Sequence, residues 1–427
     1  MTSITGTSPE RGRLTALPLA VAYGAIPLGV AAARFAGGSG PVSVTAPWLF
    51  LAGIGAILAM LTRPSGTPGR KGAIFKVTLF LLMAVGLFLY SPDIIMSVAR
   101  SIPYLNELSP LVFMLFSGLW VATCGLPDRS DFQRFGALLG TLCIADLACE
   151  VVLYQAVPTV RWIGNADMLA GLLLVPLCAG LKPGGNDGGA HEPDQGLPWW
   201  RALVMLGIMS CLSRTGLFAA AWVVLCFGRG RVRYRVIFAV LCAALLAMTF
   251  LLPTTASDSI RYTDYWLWIE ALRLFTEGPG LLLTGFPIAA PLPLQFPTGM
   301  APIWETATGQ ASSMGAFLFQ VPSFWLRLTM TWGIGAPLLI LTTVFILIFR
   351  RLTRMGAGLT AALFAQGMTT PLLFDPATGI AISLGFILAM ATPLHRPNTR
   401  VEEQSMPDAA APMAGADPAR EWDLRPL

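Results

Sequence analysis

Charged side chains are scarce in this chain of 427 residues. Asp, Glu, Lys and Arg together make up 12% of the sequence and hydrophobic residues 55%, whereas about a quarter of a typical soluble domain is charged. This composition excludes an ordinary soluble protein. The net charge is +5, but the basic residues gather in short loops and form no stripe on a soluble domain, so we expect no nucleic-acid partner.

Histidine and metal-binding patterns are also scarce. The chain has two histidines, His191 and His395, and its seven cysteines lie in or beside apolar segments. These cysteines lack metal-ligand spacing and are typical of small buried hydrophobic residues. The sequence contains neither a GxxxxGK[ST] phosphate loop nor a Rossmann fingerprint. We therefore predict no metal and no cofactor, and we expect the substrate rather than ATP to supply the energy of any reaction.

Long apolar runs recur along the chain, each of roughly 17 to 25 residues and able to cross a hydrocarbon core about 30 Å thick as a helix. The runs are apolar on every side, whereas spanning strands alternate in polarity. We predict an all-α, polytopic integral membrane protein with about twelve transmembrane helices and one large periplasmic loop. The predicted helices cover residues 14–34, 43–62, 73–91, 108–125, 135–157, 166–181, 198–212, 215–228, 236–252, 326–349, 356–373 and 377–394.

Basic residues are concentrated in every second predicted loop. Because basic loops face the cytoplasm, this pattern places both the N-terminus and the C-terminus in the cytoplasm. The chain then divides into helices 1–9 (residues 1–252), a periplasmic loop (253–325), helices 10–12 (326–395) and a cytoplasmic tail (396–427) whose composition predicts disorder. The inward loops carry Arg63, Arg70, Lys71, Arg129, Arg134, Lys182, Arg229, Arg231, Arg233, Arg235, Arg350, Arg351 and Arg354.

An arginine interrupts the apolar stretch "MSCLSRTGLFAAAWVV" (209–224). Arg214 lies between two short runs, where the topology predicts a turn that faces the periplasm or a water-filled cavity. One interpretation is a helix start, at which Ser213 or Thr215 caps backbone N–H groups and Arg214 extends toward the headgroups. The other is a functional cation in the cavity.

Two acidic residues lie within the fifth predicted helix. Asp146 and Glu150 are four residues apart, so they share one helix face. Carboxylates inside a membrane are costly, and the pair should face an internal cavity and meet a partner. Arg34 and Arg214 are candidate partners, and a proton relay is the functional alternative.

Five segments carry a family resemblance in their order along the chain. They are "RWIGNADMLAGLLLVP" (161–176), "SCLSRTGLFAAAW" (210–222), "IRYTDYWLWIEALRLFTEGPGLLLTGFPI" (260–288), "FWLRLTMTWGIGAPLLIL" (324–341) and "LLFDPATGIAISLGFILAM" (372–390). Together they resemble the O-antigen ligase and Wzy-type polymerase superfamily. The resemblance implies an enzyme of the bacterial inner membrane that transfers saccharide from undecaprenyl diphosphate on the periplasmic face, without a metal.

The resemblance also implies site residues. Arg214 and Arg261 correspond to the arginines that bind the donor diphosphate, and Arg161 is a third candidate. Guanidinium groups suit this role because they bind phosphate oxygens bidentately and stabilise a leaving anion. In ligases a histidine opens the helix that leaves the loop. Pro322 lies near that position here, so exopolysaccharide polymerases of the xanthan and acetan type are the nearer match.

Further residues are expected to bind substrate. Asn165, Ser213 and Thr215 lie in the matching segments, and Trp304 with Glu305 forms a candidate sugar-stacking pair. Trp266 could bind sugar or belong to an interfacial aromatic belt, together with Tyr262, Tyr265 and Trp268. Without histidine, a base would be a carboxylate or be absent. The outward-loop acids are Asp258, Asp264, Glu270, Glu277 and Glu305, and Glu305 could equally be a solvated loop acid.

The sequence thus predicts a polymerase that joins undecaprenyl-diphosphate-linked oligosaccharide repeat units into exopolysaccharide or O-antigen. The family implies a chain-length regulator and a flippase as partners, beside membrane lipid. A ligase that delivers polysaccharide to another acceptor is one alternative. A flippase or exporter is another, although no matching pair of halves is visible. A transferase that uses a lipid-monophosphate sugar commonly has acids in its first outward loop, and "RFAGGSGPVSVTAP" has none.

Overall fold

The computed structural model describes residues 15–36, 107–154, 162–181, 198–228, 232–251, 257–351 and 353–391, apart from residues 289, 298 and 309. Within these ranges the chain is helical and contains no β-strand, which confirms the all-α class. The helices predicted at 43–62 and 73–91, and the tail over 396–427, lie outside the described residues.

Seven of the described helices precede the segment that follows Leu251. Helix α1 spans Leu17–Phe35 and includes one π-helical turn at Val21–Ala25. The next six are α2 (Ser109–Cys124), α3 (Arg129–Tyr154), α4 (Ala166–Ala179), α5 (Pro198–Cys211), α6 (Arg214–Phe227) and α7 (Val232–Leu251). Each corresponds to one predicted apolar segment; α3 begins six residues before its predicted start, and the other ends differ by four residues or fewer.

The segment after α7 contains shorter helices before the bundle resumes. These are α8 (Ser257–Glu277), α9 (Leu281–Thr284), α10 (Met300–Thr308) and α11 (Phe324–Trp332), followed by α12 (Gly335–Arg351), α13 (Arg354–Gly367) and α14 (Pro376–Ala391). The single helix predicted over 326–349 is therefore two helices. Gly333 separates them with a φ of +73°, and a Cβ there would lie 2.1 Å from the carbonyl oxygen of Leu283, so the turn requires glycine.

Three of the described helices are long and apolar enough to cross a membrane. They are Leu17–Phe35, Arg129–Leu153 and Val232–Leu251, and several shorter apolar helices accompany them. Length and composition of these helices indicate association with a membrane. The total of about twelve spans stays a prediction.

Helix α4 is the centre of the bundle. Residues 169 to 179 are all buried, and the helix packs against α3, α5, α6, α13 and α14. A helix that is apolar on every side is typical of such a central position. Helices α3 and α5 cross closely. A Cβ on Gly207 would lie only 2.5 Å from the Cα of Gly140. Small residues permit this approach, as in many membrane helix pairs.

The described segment from α8 to α11 (residues 257–332), which we call the loop region, has a hydrophobic core of its own. Its buried members are Leu267, Ala271, Leu274, Phe286, Ile288, Leu292, Trp304, Ala316, Leu318, Val321, Leu326 and Met330. The last two belong to α11, whose residues Phe324, Trp325 and Leu328 join the core of the bundle. Helix α11 is therefore shared by both cores and fixes the loop region to the bundle.

Candidate functional site

Four helix ends meet one another at one end of the bundle, close to the loop helix α8. They are the starts of α4 and α6 and the ends of α7 and α13, and hydrogen bonds link them. Polar side chains gather there although the helices themselves are apolar. We name this group the helix-end cluster; it consists of Asn165, Asp167, Ser213, Arg214, Thr249, Asp264 and Gln366.

Asn165 and Ser213 begin their helices as N-caps. The Asn165 Oδ1 accepts a hydrogen bond of 2.8 Å from the Asp167 N–H, and the Ser213 Oγ accepts one of 3.0 Å from the Gly216 N–H. Such caps satisfy backbone N–H groups that a helix start leaves unpaired. The buried Ser213 hydroxyl also donates to the Asp167 carboxylate. This bond joins two segments that are distant in sequence, 161–176 and 210–222.

Arg214 is held by the last turn of α7. Its Nε donates to the Thr249 Oγ1 at 3.2 Å, and its Nη2 donates to the Thr249 carbonyl oxygen at 3.0 Å. The guanidinium carbon also lies 4.1 Å from the centre of the Phe250 ring. Carbonyls at a helix C-terminus carry partial negative charge and stabilise a cation. The half-buried guanidinium therefore stays at the helix ends.

Thr215, the next residue, has a different environment. Its Oγ1 is buried and makes no hydrogen bond within the described part of the chain. The cap of α6 is therefore supplied by Ser213 and not by Thr215, which decides between the two residues that the capping interpretation named.

Asp264 reaches the cluster from α8. Desolvation raises the pKa of Asp264 to about 7, and the negative charge of Asp167 acts in the same direction. The side chain is nevertheless exposed to water. The Asp264 carboxylate thus lies close to protein atoms of the cluster while water still reaches it.

Two further contacts tie α8 to the bundle. The Trp268 indole N–H donates to the Met368 carbonyl oxygen at 3.1 Å. Nearby in sequence, the fully buried Gln366 donates from Nε2 to the Asp167 carbonyl oxygen. Helix α8, the end of α13 and the start of α4 are thus connected. The Gln366 Oε1 and the Thr370 Oγ1 are buried and have no hydrogen-bond partner in the described residues.

The two other predicted arginines are described only in part. Arg161 lies outside the described residues. Arg261 lies in α8, three positions before Asp264, and the structure describes its place in the helix and not its side chain. Its role stays a prediction.

The predicted sugar-stacking pair is divided between the interior and the surface of the loop region, because Trp304 is buried and Glu305 is exposed. Trp304 is 2% exposed, and its ring centre lies 5.1 Å from that of Phe296 and 6.3 Å from that of Trp266. The Glu305 carboxylate accepts hydrogen bonds from the Ser312 N–H at 2.9 Å and hydroxyl at 2.8 Å, which hold the pKa of Glu305 below its usual value. Within the described residues, no hydrogen bond links this pair to the helix-end cluster.

The acidic pair of α3 lies inside the protein. Asp146 is 7% exposed and Glu150 is 4% exposed. Both belong to the half of α3 that leads toward the start of α4. Their burial agrees with the expected cost of exposing carboxylates to lipid.

Arg327 of α11, which the sequence analysis did not single out, is buried and lies, like Arg214, in an apolar stretch. Its Nη2 lies 2.8 Å from the Glu107 Oε1, and the Thr331 hydroxyl donates to the Glu107 Oε2 at 3.1 Å. The Arg327 guanidinium also lies 3.7 Å from the centre of the Phe374 ring. Two features of the sequence indicate a buried polar contact here. An arginine interrupts the apolar stretch "FWLRLTMTW", and Thr331 follows one turn later on the same helix face.

The helix-end cluster combines the cation Arg214, the carboxylates Asp167 and Asp264, and buried amide and hydroxyl groups. Such a set can bind an anion and accept a proton. Within the described residues, no group of three or more His, Cys, Asp or Glu side chains could hold a metal ion. In comparisons with known proteins, no protein-family model and no curated protein matches the chain.

Proposed function

We propose that the protein is an inner-membrane polymerase that joins undecaprenyl-diphosphate-linked oligosaccharide repeat units into exopolysaccharide or O-antigen. One observation carries the proposal. Asp167 of segment 161–176, Ser213 and Arg214 of segment 210–222, and Asp264 of segment 260–288 belong to one cluster. Three segments that carry the family resemblance, although distant in sequence, thus meet at a single solvated site.

The charges at the two ends of the bundle support a periplasmic site. Helices α7 and α13 begin beside Arg233 and at Arg354, and they reach the cluster at Thr249 and Gln366. The arginines therefore lie at the opposite end from the cluster. Under the positive-inside rule that basic end faces the cytoplasm and the cluster faces the periplasm. Both termini would then be cytoplasmic in a protein of about twelve spans.

In this proposal, Arg214 binds and stabilises the leaving group, which is the lipid diphosphate. Thr249 and Phe250 hold the guanidinium at the cluster, where it binds phosphate oxygens of the lipid carrier. As the bond to the sugar breaks, negative charge grows on the diphosphate, and a fixed cation stabilises that charge without a metal. Arg261 and Arg161 stay the second and third candidate arginines by resemblance.

The size profile of saccharide on the lipid carrier tests the proposal. Membranes of a deletion strain are compared after complementation with wild type, Arg214→Ala or Arg273→Ala. Arg273 is the control because it is an exposed arginine that pairs with Glu270 and Glu277 on α8. We expect wild type and Arg273→Ala to restore long chains. Arg214→Ala should insert into the membrane but leave single repeat units on the periplasmic face.

Two outcomes would replace the polymerase by another function. Long chains that persist on the carrier in the deletion strain and fail to reach a final acceptor would indicate a ligase. Single units that stay on the cytoplasmic face would indicate a flippase. Normal polymer with Arg214→Ala would remove Arg214 from the reaction.

A further inference from the structure

Transfer of a glycosyl group to a sugar hydroxyl releases a proton, and the proposed function leaves its acceptor open. The inference below rests on that function. His191 and His395 lie outside the described residues, on the predicted cytoplasmic side. The helix-end cluster contains two carboxylates instead, Asp167 and Asp264.

Asp264 lies on the face of α8 that is tied to the bundle. Asp264 and Trp268 lie one turn apart on the same face of α8. Trp268 is bonded to the Met368 carbonyl, and Gln366 of the same turn is bonded to the Asp167 carbonyl. These contacts bring the face of α8 that carries Asp264 to the start of α4, where the charge of Asp167 acts on it.

The two carboxylates differ in how strongly the protein engages them. Asp167 accepts the hydrogen bond of Ser213 and is half-buried, so it is fixed within the cluster. The Asp264 carboxylate is exposed to water, and within the described residues desolvation and the charge of Asp167, rather than a hydrogen bond, act on its pKa. A general base must lie within hydrogen-bond reach of the proton that it accepts. Asp264 meets this requirement better than Asp167.

A buried polar atom beside Asp167 also indicates that the cluster can pair with a ligand. Gln366 is fully buried, its Nε2 is bound to Asp167, and its Oε1 has no hydrogen-bond partner among the described residues. A buried acceptor without a hydrogen bond is unfavourable, because it has lost its water and gained no partner. A hydroxyl-rich ligand offers the donors that such an acceptor requires.

The ionisation of Asp264 suits a base. Burial by the surrounding protein raises the pKa of Asp264 to about 7, and the charge of Asp167 adds to this effect. A base is most effective when its pKa lies near the working pH, because it is then ionised often enough and still binds a proton strongly.

The other charged side chains near α8 whose contacts the structure describes have hydrogen-bond or ion-pair partners of their own. On α10, Glu305 is bound to Ser312, and on α11, Arg327 is bound to Glu107. On α8 itself, Glu270 and Glu277 pair with Arg273, and on α6 Arg214 is bound to Thr249. Within the described part of the chain, the charge of Asp167 adds to desolvation in raising the pKa of Asp264.

We propose that Asp264 is the general base of the reaction and that Asp167 is a positioning residue that acts through it. The Asp264 carboxylate takes the proton of the acceptor hydroxyl while the hydroxyl oxygen bonds to the anomeric carbon of the donor. The bond from that carbon to the diphosphate oxygen breaks, and its electron pair leaves with the diphosphate beside Arg214. Asp264 then returns the proton to water.

The rate of polymer formation as a function of pH tests the inference. The purified full-length protein is incubated with lipid-linked repeat units extracted from the deletion strain. The base acts in its ionised form, so the wild-type rate should rise with pH through a midpoint of about 7. Asp264→Asn should lower the rate by about 10²–10⁴-fold and remove this rise, whereas Asp264→Glu should restore part of the rate.

A second variant separates positioning from a purely structural role. Asp167→Asn keeps an oxygen that can accept the Ser213 hydrogen bond but removes the negative charge. The pKa of Asp264 should then fall, and the midpoint of the rate should move to lower pH. A merely structural role would lower the rate without moving the midpoint.

The control is Glu277→Gln, which removes an exposed carboxylate from the same helix and should leave the rate and the midpoint unchanged. A normal rate with Asp264→Asn, or a pH midpoint that persists in that variant, would overturn the inference and leave the polymerase standing. No polymer from the wild-type protein would overturn the proposed function instead.

Discussion

Arg327 and Glu107 form an ion pair in the interior of the protein. The Arg327 Nη2 lies 2.8 Å from the Glu107 Oε1, the Nε lies 3.0 Å from the Oε2, and the side chains are 4% and 1% exposed. The remaining Nη1 donates to the Phe319 carbonyl at 3.1 Å. Each charge is therefore compensated, and the pair joins the chain before α2 to α11, which belongs to both hydrophobic cores.

We expect that removing one member of this pair destabilises the protein strongly. Arg327→Ala or Glu107→Ala should each lower the free energy of unfolding by about 3–5 kcal/mol, because the other charge is left buried and uncompensated. The double variant Glu107→Leu with Arg327→Met should recover much of the loss. The thermal unfolding midpoint of the detergent-purified protein measures each change. Single variants as stable as wild type would show that the pair contributes little.

The contrast between Arg214 and Arg327 shows how far the sequence could predict the site. Both arginines interrupt apolar stretches. Arg214 could be assigned to a helix end because Ser, Thr and Gly surround it, and these residues favour caps and turns. The partner of Arg327 is 220 positions away in sequence, and no local pattern predicts such a contact.

The fold shows the same division between local and distant effects. Apolar runs predicted helices α2 to α7 within a few residues, because burial of a helix follows from its composition. They did not predict that Gly333 ends α11, since its positive φ depends on the close approach of Leu283. Nor could they predict that the Trp304 side chain would be buried in the hydrophobic core of the loop region.

The cap at Ser213 gives a second prediction. Ser213→Ala removes the acceptor for the Gly216 N–H and the donor to Asp167, and loss of an N-cap costs about 0.5–2 kcal/mol. We expect the thermal unfolding midpoint to fall accordingly. Thr215→Val is the matched control, because the Thr215 Oγ1 makes no hydrogen bond in the described residues and its removal should not destabilise the protein. Equal losses in both variants would contradict the cap.

The crossing of α3 and α5 gives a third prediction. Gly207→Ala places a Cβ 2.5 Å from the Gly140 Cα, so the helices must separate, at a cost of about 1–3 kcal/mol for overpacking. Gly118→Ala on α2 is the control, because nothing lies within 4 Å of a Cβ there. We expect a lower unfolding midpoint for the first variant and an unchanged or higher one for the second. A tolerated Gly207→Ala would mean that the crossing can relax.

The burial of Trp304 gives a fourth prediction, which separates core packing from sugar stacking. Trp304→Ala should destabilise the loop region by about 3–5 kcal/mol, because the ring packs between Phe296 and Trp266. Trp304→Phe keeps an aromatic ring in this core and should retain most of the stability and of the polymer. Proteolysis of the loop region measures the first effect, and the saccharide profile measures the second. A Trp304→Phe protein that resists proteolysis like wild type yet makes no polymer would instead support a direct role of the indole in binding sugar.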